Sequence, residues 1–284
     1  MKLYTTIVLM FVSLASVVVS KEIQKQGEPP VDAEKVKNKE NPRREAALRA
    51  IREAAGTISL TRDDEEIGRV EKPAFVYEDT LRSSKDGSVW VWGDQGRPEA
   101  VIAMYRYTDS YWLYELASFN SAPFSVDNAT KMKEPCEFLS VAAGTKPSKS
   151  EKLRKSQIRL LAKKFRAYQM WDNDKATELQ RYELRLSAPV HEYQDAKRKV
   201  LSGSVFLFNY GSNPELAMVI EATEDGWQCA FGRLGWASAS VTFDGKDFYE
   251  QPKMSNSAGD PRYLMRRVVA KPSTAARTST RRVD

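Results

Sequence analysis

Two residue types that carry much of enzyme chemistry are almost absent from this chain of 284 residues. It contains one histidine, His191, and two cysteines, Cys136 and Cys229. Common zinc sites take several Cys or His ligands, and a Ser-His-Asp triad needs a histidine beside a recognisable nucleophile. Neither setting surrounds His191, and no phosphate-binding loop occurs. The sequence therefore predicts no metal site and no cofactor, and it favours His191 as a half-buried strand residue over an acid or base.

Long apolar runs are also missing, with one exception at the N-terminus. Lys2 precedes an apolar stretch over residues 7–19, and small residues come just before Lys21. This pattern is typical of a secretory signal peptide, so residues 1–20 are predicted to be a signal peptide and the protein to be exported, either periplasmic or secreted. A membrane anchor would need a longer run, on the order of 20 apolar residues. We expect no transmembrane helix after cleavage.

Net positive charge is confined to the two ends of the chain. The formal net charge is +6, yet Lys2 and the six basic and one acidic residues of positions 266–284 account for all of it. The body between residues 21 and 265 is neutral overall. Residues 251–284 are predicted to be a basic disordered tail, which is either a solvated terminus or a weak contact for a polyanion. No specific nucleic-acid motif accompanies it.

What the chain does contain is a faint internal repeat. Residues 69–110 align without a gap on residues 185–226, at a constant shift of 116. After one deletion the alignment continues at a shift of 115. A repeat of this length indicates two related structural modules. The identical pairs are Arg69/Arg185, Pro73/Pro189, Tyr77/Tyr193, Asp79/Asp195, Arg82/Arg198, Gly87/Gly203, Ser88/Ser204, Val89/Val205, Pro98/Pro214, Glu99/Glu215 and Asp109/Asp225.

Local patterns predict the same order of elements in both halves, a helix followed by four strands. Proline just after the start and glycine just after the end mark the first helix. Short connections between the strands favour antiparallel neighbours, because a parallel pair needs a long crossover. The predicted helices are 41–55 and 149–171, and the predicted strands are 74–80, 88–92, 99–107, 111–119, 182–193, 204–208, 215–223 and 227–234.

These patterns together predict an α+β fold with an internal duplication. Two helix-plus-four-stranded antiparallel meander modules would pack with pseudo-twofold symmetry. Residues 41–126 would form the first module and 149–250 the second, joined by a loop at 127–148. Residues 21–40, rich in Lys, Glu, Pro and Asn, are predicted to be a flexible linker.

Aromatic residues are concentrated in the first module, and they supply the candidate ligand-binding residues Trp90, Trp92, Tyr105 and Tyr107. Alternate positions of a strand face opposite sides of a sheet, so these rings enter one core only if both faces are covered. Exposed rings would form a platform for a carbohydrate or a partner protein of the cell envelope. The alternative is burial against the helix or the other module.

Three further features each leave two interpretations open. Glu99 and Glu215, which are aligned in the repeat, are either paired acid and base groups or residues that a duplicated scaffold keeps for structure. Cys136 and Cys229 are either joined in a disulfide, which an oxidising compartment permits, or two free thiols. The helix predicted at 149–171 is basic and amphipathic, so its apolar stripe packs either on the sheet or on an anionic membrane.

Five segments of the two modules carry a resemblance to known sequences: GSVWVWGDQGRPEAVIAMY, YWLYELASFNSAPF, QIRLLAKKFRAY, RYELRLSAPVHEY and GSVFLFNYGSNPELAMVIEA. They resemble segments of uncharacterised secreted proteins of planctomycete-type bacteria. The resemblance covers about residues 42–245. It implies export and a shared fold, and it brings no catalytic residues.

The sequence thus favours an exported, non-enzymatic binding or envelope-associated protein of unknown ligand. The alternative is a secreted or periplasmic hydrolase that uses carboxylates at the interface between the modules. A deep pocket with converging polar groups would favour the hydrolase, and a closed apolar seam would oppose it.

Overall fold

The structure is a computed structural model, and it describes residues 42–79, 84–108, 111–171, 180–254 and 260–269. Among these residues 53% lie in strands and 12% in helices. The predicted signal peptide and the predicted linker lie outside the described residues. So does the predicted tail from residue 270 onwards.

The described elements follow one another as two helices and 18 short to medium strands. They are α1 (Pro42–Ala55), β1 (Leu60–Arg62), β2 (Glu65–Glu66), β3 (Phe75–Asp79), β4 (Ser84–Trp92), β5 (Ala100–Thr108), β6 (Tyr111–Ser118), β7 (Phe124–Val126), β8 (Thr130–Met132), β9 (Leu139–Ser140), α2 (Glu151–Ala162), β10 (Phe165–Trp171), β11 (Gln180–Leu186), β12 (His191–Asp195), β13 (Val200–Tyr210), β14 (Asn213–Thr223), β15 (Trp227–Arg233), β16 (Ser238–Phe243), β17 (Lys246–Gln251) and β18 (Tyr263–Val269).

The predicted α+β fold class is wrong. The described chain is mostly β, with large curled antiparallel sheets and two helices, rather than two modules of one helix and four strands. The second helix ends at Ala162, and β10 occupies the rest of its predicted range. Phe165, Ala167 and Gln169 are buried at alternate positions while β10 pairs with β11 and β16. Tertiary pairing therefore overrides the helical spacing read from the sequence.

Further strands occupy segments that were predicted to be irregular. β8 and β9 lie in the predicted connecting loop at 127–148, and β18 lies in the predicted tail. β18 pairs with β6 along its full length, from Tyr263 opposite Ala117 to Val269 opposite Tyr111. Leu264 and Val268 pack on the apolar core behind that sheet. Residues 263–269 of the predicted tail thus belong to a sheet, because alternate apolar residues can be buried there.

Three antiparallel sheets result. The first joins β2, β1, β7 and β8, and the second joins β18, β6, β5, β4 and β3, each in that order. The third and largest runs β17, β16, β10, β11, β13, β14, β15, β9, with β12 paired to β13.

Strands β3–β6 and β12–β15 form two meanders whose pairing registers agree at the shift seen in the sequence. Tyr77 lies opposite Gly87, and Tyr193 lies opposite Gly203. A Cβ atom on Gly87 would stand 2.4 Å from the Tyr77 ring, and one on Gly203 would stand 2.3 Å from the Tyr193 ring. Each glycine thus makes room for a cross-strand tyrosine. The agreement concerns these four strands; the sheets that contain them differ in strand number and order.

Each meander has an inner face and an outer face with separate apolar clusters. The inner faces meet in one cluster that contains Val89 and Val91 from the first meander and Val205 and Leu207 from the second. Trp90 and Trp92 lie on the outer face of the first meander with α1, and Phe206 and Phe208 on that of the second with α2. The layers therefore run helix, sheet, sheet, helix.

Both described helices are too short and too polar to cross a membrane.

Candidate functional site: an aromatic groove

Two of the four predicted ligand-binding residues are in the core. Trp90 and Trp92 are 0% and 1% exposed. The Trp90 indole Nε1 donates a hydrogen bond to Ser88 Oγ at 3.1 Å, and the Arg69 guanidinium carbon lies 4.2 Å from the centre of the Trp90 ring. These rings cannot reach a ligand, because α1 and the small sheet cover the outer face on which they lie.

The other two, Tyr105 and Tyr107, line an open groove of about 560 Å³, which we call the aromatic groove. Tyr107 is 58% exposed. The groove is lined by Tyr105, Tyr107, Tyr111, Leu113, Glu115, Trp236, Met265, Arg266 and Arg267.

Three neighbouring strands form the floor of the aromatic groove. Tyr105 on β5 lies opposite Leu113 on β6, which in turn lies opposite Arg267 on β18. Glu115 and Met265 face each other one step along the same two strands. All five positions share the inner face of the sheet by alternation. This end of the inner face is an open groove. Trp236, which follows β15 in the chain, contributes a further ring to it.

The rings and cations of the groove are already ordered relative to one another. Tyr107 and Tyr111 stack with ring centres 5.5 Å apart and planes 25° apart. The Arg267 guanidinium carbon lies 4.9 Å from the centre of the Tyr111 ring. Such a cation–π contact holds the guanidinium beside the ring face while leaving its donors available.

A buried hydrogen bond supports the floor. The Tyr263 hydroxyl donates to Glu115 Oε1 at 2.7 Å, and both residues are buried. Burial, and next the negative charge of Glu115, raise the pKa of Tyr263 far above its ordinary value. The tyrosine therefore stays a donor and the carboxylate stays engaged. Arg266, also in the lining, pairs with Asp127 at 3.8 Å and donates to Thr130 Oγ1, so Arg267 supplies the positive charge of the groove.

Exposed apolar side chains are few in the described part of the chain, and half of the large ones are in this groove. Six large hydrophobic residues are exposed in the described part of the chain, and three of them, Tyr107, Trp236 and Met265, line the groove. Sequence reasoning missed Trp236, Met265 and the two arginines. They lie more than 120 residues beyond Tyr111, and no local pattern marks them as its neighbours.

The opposite end of the paired inner faces is closed by buried charge. Glu221 is fully buried, and its carboxylate accepts bonds from Arg97 Nε at 2.7 Å and Arg97 Nη2 at 2.5 Å. It also accepts bonds from the Tyr193 hydroxyl at 2.7 Å and from Gln228 Nε2 at 2.6 Å. Burial, and next the charge of Glu221, raise the pKa of Tyr193 well above its ordinary value. We call this cluster the closed end.

Glu99 and Glu215, the candidate acid and base, are each held by separate structural partners. Glu99 accepts two bonds from Arg62, at 3.1 and 2.6 Å, and one from Arg198 at 2.7 Å. Glu215 accepts bonds from Gln169 at 2.7 Å and Asn213 at 2.9 Å. Carboxylates engaged in this way hold strands together, and they support the structural interpretation.

Asp195 joins the same network beside Glu99. It accepts bonds from the side chain of Arg198 at 2.8 Å and from the backbone N–H of Arg97 at 3.1 Å. Burial acts to raise the pKa of Asp195, but these hydrogen bonds outweigh it and hold the pKa below its ordinary value.

Within the part of the chain that the structure describes, the remaining chemistry-bearing residues form no further site. Cys136 and Cys229 are free thiols, so the suggested disulfide is not formed. They belong to different clusters, Cys136 to the inner one and Cys229 to that of α2. His191 stacks on Tyr193 at 5.9 Å, and burial lowers the pKa of His191. Within the described ranges no group of three or more His, Cys, Asp or Glu residues could hold a metal ion.

A second groove, of about 700 Å³, lies beside β10 and β11. Its two aromatic residues, Phe165 and Phe208, are buried. Its charged side chains include Arg166 and Glu183, which pair at 3.8 Å. It offers a ligand little exposed apolar surface, so the aromatic groove is the stronger candidate.

No protein-family model matches this chain, and no curated protein or solved structure matches it either. The resemblance to secreted proteins of planctomycete-type bacteria therefore stays a prediction.

Proposed function

We propose that this chain is an exported, non-enzymatic binding protein of the bacterial envelope, and that the aromatic groove takes a segment of an acidic carbohydrate chain. The observation that carries the proposal is the concentration of large exposed hydrophobic side chains, two of them aromatic, in one groove. Tyr107, Trp236 and Met265 are half of the large exposed hydrophobic residues in the described ranges. Apolar surface gathered in this way marks a site of interaction.

The chemistry of the groove suits a sugar. Ring faces supply flat apolar area at little conformational cost, and the polar edges of a sugar need donors and acceptors nearby. Arg267 lies at the rim, fixed over Tyr111 at 4.9 Å, whereas Arg266 is engaged by Asp127. Glu115, the acidic residue of the lining, is engaged by Tyr263. The accessible charge is positive, so carboxylated sugars are favoured over neutral ones.

The non-enzymatic part of the proposal is supported by the state of the carboxylates. An acid and base pair needs two groups that are free to exchange protons with a substrate. Glu99 and Glu221 are instead tied to Arg62, Arg97 and Arg198. Export is supported by the N-terminal pattern described above.

The test is a titration calorimetry comparison on the full chain with two probes of equal length, an oligogalacturonate and a neutral galacto-oligosaccharide. We expect the acidic probe to bind more tightly. Trp236→Ala and Tyr107→Ala should each weaken both probes by roughly 5- to 10-fold, since each removes a ring face worth about 1 kcal/mol. Arg267→Gln should weaken the acidic probe alone.

Val76→Thr is the matched control, because it removes another exposed hydrophobic group away from the groove. All variants alter exposed positions, so the free energy of unfolding should stay within about 0.5 kcal/mol of wild type. Equal binding of polyglutamate would mean that charge alone is recognised and would refute a carbohydrate site. Unchanged affinity in the Trp236 and Tyr107 variants would refute the groove itself.

A further inference from the structure

A second exposed apolar patch lies on α2, far from the groove in sequence. Of the six large exposed hydrophobic residues in the described ranges, Leu153 and Leu160 are on this helix, 57% and 64% exposed. They are seven residues apart, which places them on one side of the helix, about 10 Å apart along its axis. Ser156 lies between them, one turn from Leu160, and is also exposed.

These leucines are not the stripe that holds the helix to its sheet. Ile158, Leu161 and Ala162 are buried in the cluster behind the large sheet. Arg154 is buried as well, and its Nε donates to Ser202 Oγ at 3.0 Å. One side of α2 therefore packs on the sheet, as one interpretation of the amphipathic pattern predicted. The opposite side carries two leucines that this packing does not explain.

Lysines surround the two leucines. Lys149 lies two residues before the helix begins, Lys163 at the C-cap lies one turn after Leu160, and Lys152 flanks the row. All three lysines are exposed. Within the described part of the chain no ion pair engages them. We call Lys149, Lys152, Leu153, Leu160 and Lys163 the α2 face.

The nearby acidic groups are committed to other cations. Glu192 pairs with Arg159 at 2.8 Å and with Lys155 at 3.3 Å. Glu151 also pairs with Lys155, at 3.1 Å, and Asp244 pairs with Lys164 at 3.1 Å. The α2 face therefore combines protruding apolar groups with uncompensated positive charge.

We infer that the α2 face docks on the surface of an anionic lipid bilayer, independently of the aromatic groove. Two leucines on a convex helix need no shaped pocket in a fluid bilayer, whereas a protein partner would have to provide one. Lysine stems can lie along the helix while their ammonium groups reach lipid phosphates. Because its other side is bound to the sheet, the helix would lie parallel to the membrane plane.

The test is flotation of the full chain with vesicles of phosphatidylcholine alone or mixed with phosphatidylglycerol, at low ionic strength. We expect binding to the anionic vesicles alone. The triple variant Lys149→Gln, Lys152→Gln, Lys163→Gln should lower the partition coefficient on the order of 100-fold, from about 5-fold per lysine. Leu153→Gln with Leu160→Gln should lower it by about 10-fold or more.

Matched controls separate the α2 face from general charge. Lys72→Gln, Lys131→Gln, Lys133→Gln removes three exposed lysines elsewhere, and Val76→Thr removes an exposed apolar group elsewhere. Both should bind anionic vesicles at least half as well as wild type. Deletion of residues 270–284 tests the basic C-terminal segment and should leave dependence on the leucines intact.

Three results would overturn the inference. The first is that wild type fails to float with anionic vesicles. The second is that binding disappears on deletion of residues 270–284 while the α2 variants bind normally. The third is that the lysine variant loses binding but the leucine variant retains it, since charge alone would then explain the contact. Sugar binding in the aromatic groove should be unchanged in every α2 variant, so failure here is distinct from failure there.

Discussion

The two ends of the paired inner faces hold aligned residues in opposite circumstances. Tyr105 and Leu113 of the first meander align with Glu221 and Gln228 of the second. In the second meander Glu221 is fully buried, and its carboxylate accepts hydrogen bonds from Arg97 of the first meander. In the first meander the aligned residues Tyr105 and Leu113 line the open aromatic groove. One backbone arrangement thus supports a sealed ionic contact at one end and an accessible aromatic surface at the other.

The difference arises from side chains rather than from strand pairing. A buried carboxylate needs several donors, and at the closed end three side chains supply four bonds. A tyrosine at the corresponding site needs only partial cover, because its ring tolerates water on one face. The comparison teaches that a buried carboxylate closes its end of the sheets because it must gather donors, whereas the end where a tyrosine stands in its place stays open.

The largest loss of stability is expected when the cation of the closed end, Arg97, is removed. Arg97→Met leaves Glu221 buried without its countercharge, and we expect a loss of roughly 3–5 kcal/mol in the free energy of unfolding. Urea denaturation followed by circular dichroism measures it.

The double variant Arg97→Met with Glu221→Gln is the matched control for that experiment. It removes both charges and keeps an acceptor for Tyr193 and Gln228. It should be clearly more stable than Arg97→Met alone. Equal stability of the single and double variants would contradict the account of the closed end.

A smaller effect should be common to both meanders. Gly87→Ala and Gly203→Ala each place a methyl group within 2.4 Å of a tyrosine ring, on Tyr77 and Tyr193 respectively. We expect each to destabilise by about 1–3 kcal/mol through overpacking. Adding Tyr77→Leu to the first variant should recover part of the loss. Thermal unfolding of the set would show whether the two sites respond alike, and a silent substitution at one site alone would break the equivalence.

The smallest effect is the pH dependence that Tyr193 contributes at the closed end. The pKa of Tyr193 is raised in the folded state, so at pH values above about 10 the unfolded chain releases a proton that the folded chain keeps. Stability from this group is full below pH 10 and falls as pH rises. Between pH 8 and pH 11 the loss from one such tyrosine is about 1 kcal/mol.

Tyr193→Phe should therefore make the fall in stability between those pH values shallower than in wild type. Val76→Thr, which changes an exposed residue that does not titrate, is the control and should leave the slope unchanged. Denaturant titrations at the two pH values provide the slopes. An identical slope in wild type and Tyr193→Phe would rule out this role for Tyr193.

Much of the strand arrangement could be predicted from sequence because it depends on local alternation. The strands predicted around residues 74–80, 99–107 and 215–223 are confirmed, with ends shifted by a few residues. The first helix is confirmed at Pro42–Ala55. The helix prediction failed over residues 165–171, where apolar spacing fits a helix but pairing with β11 and β16 is available.

The site was predicted only in part, for the same physical reason. Aromatic density marked Tyr105 and Tyr107, which line the groove, and equally marked Trp90 and Trp92, which face the core. Alternation separates the two pairs onto opposite faces, but it does not say which face is covered. That depends on α1 and the small sheet, whose placement is a tertiary property.

The sequence by itself determined the pairing register of the meanders, since the aligned glycines and tyrosines meet in both. Register follows from the alternation of side chains along each strand, and this alternation depends only on residues that are close in sequence. Tertiary structure alone decided which end is closed and which is open. Arg97 meets Glu221 across 124 residues, and Trp236 and Arg267 reach the groove from distant strands. Such contacts depend on how sheets pack, and packing depends on the whole chain at once.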